Sequence, residues 1–313
     1  MTDTLVMSRP GQDKLAGAVD ANFQDIFSKE VMTAFESEIT FFPRVRSQDF
    51  RDGKGAYFPV IGRNKASFHP VGDEFKGSRI AATRVRIELD DIMGAGVWLP
   101  VLDEIKSHYD VRSYYVKANS NALSKICDQH IAATIIKAAR SPEILTGMGG
   151  GTQLKDNAYA TNAEKLADAL IKIGQTFNEN DVPCADRYMA VRPAQLALLH
   201  ANNTLHNRDY GGTVTIKDNA KEYELRGMTV FMSNNIPSTN ITASEDWTAK
   251  YAGDYSKTIA IAWHKDAVGS LSAVDATSET ESTVRHQATF FYSKYIMGHG
   301  VLRPECAVEL CKA

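Results

Sequence analysis

The sequence predicts an α+β fold. Three observations carry that expectation: one run free of proline and glycine that is long enough for a dominant helix, a series of short strand-like runs downstream of it, and no internal repeat.

The dominant helix is expected over about 103–140. Between Asp103 and Arg140 there is no Pro or Gly, and Ile105, Tyr109, Val116, Leu123, Ile126 and Ile135 fall close to one helical face until Pro142 stops the run. At 1.5 Å per residue such a helix is roughly 57 Å long. A compact globule of this chain length has a diameter of about 50 Å. The helix would span the molecule, so a flat or elongated subunit is expected, with surfaces that need neighbours.

Ahead of the helix, Phe23, Ile26, Phe27, Val31, Ala34 and Phe35 follow helical spacing, as in an amphipathic arm that ends at Pro43. Two strands are expected next, at 56–62 and 83–90. In the second, Val85, Ile87 and Leu89 alternate with Arg84, Arg86 and Glu88. The residues between the two are rich in Gly, Pro and charge, which predicts a long hairpin whose tip cannot bury itself. Downstream, GMGGGTQ at 147–153 reads as a connector, and Thr161 with Glu164 forms a capping box for a helix carrying Leu166, Leu170 and Ile173. Strands are expected at 187–191, 227–233, 257–263, within 287–297 and at 306–310, with a helix at 193–200 that has Pro193 in its first turn.

Composition narrows the function. The chain has 313 residues, 43% of them hydrophobic, enough for a core, and 35 basic against 38 acidic side chains. That balance argues against a dedicated nucleic-acid binder, which needs an excess of Lys and Arg to neutralise phosphates. The N-terminus carries no apolar signal region and no stretch approaches membrane-spanning length, so a chain made and kept in the cytosol is expected. Cys127, Cys184, Cys306 and Cys311 form no CxxC pair and read as reduced, mostly buried thiols.

Chemistry is mostly missing. No Walker loop, dinucleotide-binding GxGxxG, HExxH or GxSxG pattern occurs. The GMGGG run follows a helix, whereas phosphate cradles follow a strand and open a helix. His200 and His206 near Asp209 could be drawn as a metal site, but their spacing is poor and a polar loop is the plainer account. His299, between two glycines, could serve as a general base, but it has no readable partner and fits a turn histidine satisfied by backbone. No catalytic residue, metal or cofactor is therefore expected.

Charge is more informative. Residues 51–79 hold Arg51, Lys54, Arg63, Lys65, Lys76 and Arg79 against Asp52, Asp73 and Glu74, whereas residues 88–110 hold Glu88, Asp90, Asp91, Asp103, Glu104 and Asp110 against Lys106. A basic hairpin and an acidic region in one chain can pair between copies, head to tail, and so generate rings or lattices. The plainer alternative is two solvated surfaces of opposite sign.

The order of elements, and several specific runs, resemble the major capsid proteins of tailed bacteriophages with the fold named after phage Hong Kong 97. DKLA (13–16) and EVMTAF (30–35) are similar to the N-terminal arm of the short-tailed phages related to coliphage T-seven. GKGAYFPVIGR (53–63) and PVGDEF (70–75) resemble their extended loop, and HYDVRS (108–113) the start of their spine helix. VPCADRYMAV (182–191), LRGMTVFMSNNIP (225–237) and AWHKDAVGSL (262–271) resemble the axial domain, and KYIMGHGVLRPE (294–305) the closing strand. The stretch 234–256 departs from these relatives.

The resemblance implies an N-terminal arm (1–45), an extended loop (46–86), a peripheral domain with the spine helix (87–185), an axial domain (186–285) and return strands (286–313). It implies a virion shell of hexamers and pentamers around double-stranded DNA, bound without sequence specificity. Assembly would take place in the cytoplasm of a bacterial host, on a scaffolding protein, with a portal protein at one vertex and no membrane. The extended loop would lie over the neighbouring subunit, which makes Arg63, Lys65, Asp73, Glu74, Lys76 and Arg79 the expected interface residues on one side. Asp90, Asp91, Asp103 and Glu104 are expected on the other. The alternatives are an encapsulin-type shell around cargo enzymes and, more remotely, a cytosolic α+β enzyme.

Overall fold

The computed structural model describes residues 39–313 except 51–52, 65, 67, 69–71, 73, 75–76, 78, 107–110, 202–221 and 226. Most of the expected amphipathic arm lies outside the described residues, as do His108, Tyr109, His206 and Asp209.

In chain order the elements begin with β1 (Arg46–Asp49), β2 (Gly55–Ile61), β3 (Ala82–Glu88), β4 (Met93–Pro100), α1 (Val101–Lys106) and α2 (Val111–Arg140). Then come β5 (Thr152–Lys155), α3 (Ala163–Glu179), β6 (Arg187–Val191), α4 (Pro193–Ala201), β7 (Glu222–Leu225) and β8 (Met228–Met232). The chain closes with β9 (Asn240–Ile241), β10 (Gly253–Asp254), β11 (Thr258–His264), β12 (Val268–Thr283), β13 (Ala288–Val301) and β14 (Ala307–Cys311). Two compact units result. The described part of one comprises Asp90–Ile126 and Ala273–Met297, and the other comprises Ile39–Leu89, Cys127–Ser272 and Gly298–Ala313.

The larger unit is built on a mixed sheet in the order β5-β14-β11-β6-β8-β7. Its strand β11 is buried at every position, as its unbroken apolar run requires of a strand covered on both faces. Helix α3 buries Leu166, Ala169, Leu170, Ile173 and Phe177, one apolar stripe at helical spacing. Its cap corrects the sequence reading: Asn162, not Thr161, accepts the Glu164 and Lys165 N–H groups at 2.9 and 3.2 Å. The second half of α2 buries Ile131, Ala132, Ala133, Ile135, Ile136, Ala138 and Ala139, so it runs through the core rather than along its edge.

Strands β2 and β3 form a separate antiparallel pair in which Phe58 opposes Val85 and Tyr57 opposes Arg86. One face of this ribbon, with Phe58 and Ile87, packs on Leu271 and Leu302. Strand alternation sends Tyr57, Ile61, Arg84 and Arg86 to the other face. The glycines of MGHG have a steric reason. A Cβ on Gly298 would stand 2.2 Å from the Glu88 carbonyl oxygen, and one on Gly300 would stand 2.8 Å from the Ile87 side chain.

In the smaller unit β4 pairs antiparallel with β13, Trp98 opposing Phe290 and Leu99 opposing Thr289. Leu99 and Phe291 pack with Tyr115 and Val116 from the first half of α2. The Asn119 side chain donates to the Phe291 carbonyl at 3.2 Å.

The helix expected over 103–140 corresponds to α1 and α2, and residues 107–110 between them lie outside the described residues. The 30 residues of α2 alone give about 45 Å. The strands expected at 187–191, 227–233, 257–263 and 306–310 are present within a residue or two. Strand β13 is longer than expected, and β12, a 16-residue strand, was not foreseen.

Candidate assembly interface

Four donors fix the point where the described chain begins. Asp128, buried in α2, accepts the Thr40 N–H at 2.6 Å and the Phe41 N–H at 3.2 Å. It also accepts the Thr40 hydroxyl at 3.2 Å and the Asn235 amide at 3.3 Å. Burial pushes this carboxyl above its ordinary range, and the same four donors offset only part of the rise. Beside it, Phe41 stacks on Trp263 with ring centroids 5.4 Å apart, and the Arg44 guanidinium lies 4.3 Å over Phe231. Thr40, Phe41 and Arg44 are therefore held in place by both hydrogen bonds and aromatic packing.

The buried histidine is structural. His299 lies in β13 rather than in a turn, and its partners are side chains: Nδ1 meets the Ser270 hydroxyl at 2.7 Å, and Nε2 lies 4.0 Å from Cys127 Sγ. Its own N–H donates to the Tyr251 hydroxyl at 3.1 Å. Burial, with His130 and Lys250 adding to it, pushes its pKa down to about 3, so it is neutral and sealed from any substrate. Burial likewise pushes the Cys127 and Cys306 thiols up to about 12, which leaves them inert. His200 packs edge-on to Tyr223, while His206 and Asp209, which completed the candidate metal site, lie outside the described residues.

The interface residues expected from sequence divide three ways. Lys65, Asp73 and Lys76 lie outside the described residues, whereas Glu74 and Arg79 are exposed. Arg63 is engaged within its own chain, donating to Asp181 at 2.7 Å and to the Asn180 carbonyl at 2.6 Å. On the acidic side, Asp91 is exposed and Asp90 half-buried, its N–H donating to the Met297 carbonyl at 3.1 Å. Glu104 pairs with Arg112 at 3.0 Å. Asp103 corrects the expectation. It is only 1% exposed, because α1 turns this carboxylate inward and leaves Leu102 and Ile105 outward.

Sequence reasoning passed over the outward face of the β2–β3 ribbon. Arg84 and Arg86 lie 4.7 and 5.8 Å over the Tyr57 ring, and Tyr57 and Ile61 are 53% and 61% exposed. The signal was the alternation of Arg84 and Arg86 with Val85 and Ile87.

Comparison with known proteins places this architecture. The family model described as "Gp10A-like: Major capsid protein" matches residues 57–311, most of the chain. The chain belongs to the Gp10A-like major capsid protein family. This capsid protein is 28% identical to the major capsid protein of Enterobacteria phage T3, over 95% of this chain and 93% of that one. It is 26% identical to the major capsid protein of Escherichia phage T7, over 93% and 92% of the two chains. Among solved structures, a chain from the capsid of cyanophage P-SCSP1u superposes with a TM-score of 0.83 at 32% identity, covering 99% of both. The fold is the Hong Kong 97-type capsid fold, and the protein is a structural component of a phage capsid rather than an enzyme.

Proposed function

We propose that this major capsid protein assembles as hexamers and pentamers into the icosahedral head shell that encloses the phage double-stranded DNA. In this scheme assembly occurs in the bacterial cytoplasm on a scaffolding protein, and a portal protein occupies one vertex. Residues 46–86 act as the extended loop, 87–185 with the returning strands of 286–313 form the peripheral part, and 186–285 form the axial part. The loop reaches a neighbouring subunit, with Arg63, Lys65, Asp73, Glu74, Lys76 and Arg79 on its side of the contact and Asp90, Asp91 and Glu104 opposite.

The observation that carries this reading is the β2–β3 ribbon. It hydrogen-bonds to no further strand among the described residues and leaves Tyr57, Ile61, Phe68 and Ile80 in solvent. A two-stranded ribbon that leaves one face with apolar residues in water carries a cost that a covering neighbour removes. Many modest contacts of this kind, closed by symmetry, make a stable container. An encapsulin-type shell shares the fold but is not favoured, since the relatives named above are phage capsid proteins.

Electron microscopy after size-exclusion chromatography, on protein expressed with and without the scaffolding partner, tests the proposal. Round shells or five- and six-membered rings are expected. A homogeneous monomer under both conditions would refute it.

A further inference from the structure

The smaller unit has two layers, a sheet and the first half of α2, and the two differ in charge. Leu99 and Phe291 of the sheet meet Tyr115 and Val116 of α2, and Asn119, one turn on, donates to the Phe291 carbonyl. In the sheet, residues 275–283 of β12 carry Asp275, Glu279 and Glu281 and no base. In the helix, residues 111–126 carry Arg112, Lys117 and Lys125 and no acid.

Helical geometry separates those cations. Arg112 is engaged near the packed side, where its Nε donates to Glu104 at 3.0 Å and its guanidinium lies 5.6 Å over Phe291. Lys117 and Lys125 are exposed, and among the described residues neither pairs with a carboxylate. With Asn121 they form an i, i+4, i+8 ridge on the side of α2 turned away from Tyr115, Val116, Asn119 and the buried Leu123. The Cα atoms of the two lysines stand about 12 Å apart along the axis.

What surrounds the ridge decides what it can hold. Ala118 and Ala122 are exposed beside it, so a partner can come close to the helix. None of the large apolar side chains exposed among the described residues belongs to α2, so the ridge offers no anchor for the apolar face of a protein segment. The only carboxylate of α2, Asp128, is buried and already accepts from Thr40 and Phe41. Spaced cations, small neighbours and no local acid suit a regular polyanion, which needs charge and close approach rather than an apolar pocket.

We propose that the Lys117–Asn121–Lys125 ridge is a contact surface for the phosphate backbone of duplex DNA, and that it meets the genome inside the shell. The inference rests on the shell reading above and names where the container touches its contents. The contact is electrostatic and blind to sequence. Each lysine neutralises a phosphate and releases a counterion, and the Asn121 amide can donate to a phosphate oxygen between them. One ridge supplies little binding. Repeated in every copy around a closed shell, it gives many weak contacts to one long molecule, and these reinforce one another through effective concentration. The near-even charge of the whole chain is consistent with this, because the local excess is confined to one helix face.

The test is duplex binding by the unassembled full-length chain, read as fluorescence anisotropy of a random-sequence duplex of about 20 base pairs between about 50 and 200 mM salt. K117Q/K125Q should weaken binding about tenfold at the lower salt and reduce the slope of log K against log salt by about 2. K165Q/K172Q, which removes two exposed lysines of α3, should bind as the wild type does. Each variant should melt like the wild type, since only exposed side chains change. In particles, acylation of Lys117 and Lys125, read by mass spectrometry, should be severalfold slower in DNA-filled shells than in empty ones.

Wild-type affinity and slope in K117Q/K125Q would overturn the inference, as would equal losses in the two double variants, or a wild type that binds no duplex at the lower salt. Equal acylation of Lys117 and Lys125 in filled and empty shells would overturn it too. Protection of these lysines in scaffold-bearing particles but not in DNA-filled ones would assign the ridge to an acidic protein instead of DNA. Each of these results leaves the shell reading standing. A wild-type chain that forms no shells would count against the shell reading, while the duplex titration would still judge the ridge.

Discussion

Arg140, the last residue of α2, grips Glu309 of β14 through two parallel hydrogen bonds, Nε to Oε2 at 2.8 Å and Nη2 to Oε1 at 2.7 Å. Thr258 and Gln153 complete the shell around the carboxylate at 2.6 and 2.8 Å, and Glu309 is fully buried. Burial alone would push the Glu309 carboxyl up. The three hydrogen-bonding side chains outweigh it and hold the carboxyl below its ordinary range.

Glu309→Gln should therefore be severe although it is nearly isosteric. Breaking one side of a buried, hydrogen-bonded pair costs about 3–5 kcal/mol, because Arg140 loses its counter-charge. The urea midpoint of the isolated subunit measures the loss. The sign with pH is also fixed. A depressed carboxyl contributes stability that is complete above its unfolded value near 4.5 and is lost as pH falls through the lower folded value. The variant should lack that acid-side decline.

His299 acts in a higher window. Its folded pKa of about 3 lies below the unfolded 6.5, so between these values the unfolded chain binds the proton and the folded chain does not. Stability is complete above pH 6.5 and falls steadily toward pH 3, by about 1.4 kcal/mol for each unit of difference. His299→Asn should flatten the urea midpoint against pH between 6 and 4.5. An unchanged slope would mean that the ring takes its proton inside the fold.

Asp128→Ala should free the chain at Thr40 and Phe41, near the end of the expected N-terminal arm. The Thr40 and Phe41 N–H groups would lose a charged acceptor, each such bond being worth about 1.5–3 kcal/mol. Hydrogen exchange at these two amides should quicken well beyond any change in the β11 amides. Uniform quickening across the sheet would instead point to global destabilisation.

The cap of α3 separates two neighbouring residues cleanly. Asn162→Ala should cost about 1 kcal/mol in thermal unfolding, and Thr161→Ala close to nothing. Equal effects would restore the capping box expected from sequence.

What the sequence disclosed depended on how burial was written into it. Strand β11 was legible because an unbroken apolar run admits few other structures, and the β2–β3 pair because Val85 and Ile87 alternate with arginines. Strand β12 was not legible. Its distal residues are Ser, Thr, Ala and acid, exposed along the strand, so no period stands out. The grip of Arg140 on Glu309 joins positions 169 residues apart, and no local pattern encodes it. Burial within the candidate interface was illegible for a related reason. Counting charge along 88–110 treats every carboxylate as outward, yet α1 buries Asp103.

Strand β2 shows what such a division of labour allows. Phe58 and Val60 are 7% and 5% exposed, while Tyr57 and Ile61, interleaved with them, face outward. On the shell reading proposed above, alternate letters of one seven-residue word answer to two separate equilibria, one deciding whether the monomer holds together and the other how firmly copies adhere. A lineage can then retune the toughness of its container at odd positions of this strand while the even positions keep every monomer soundly built.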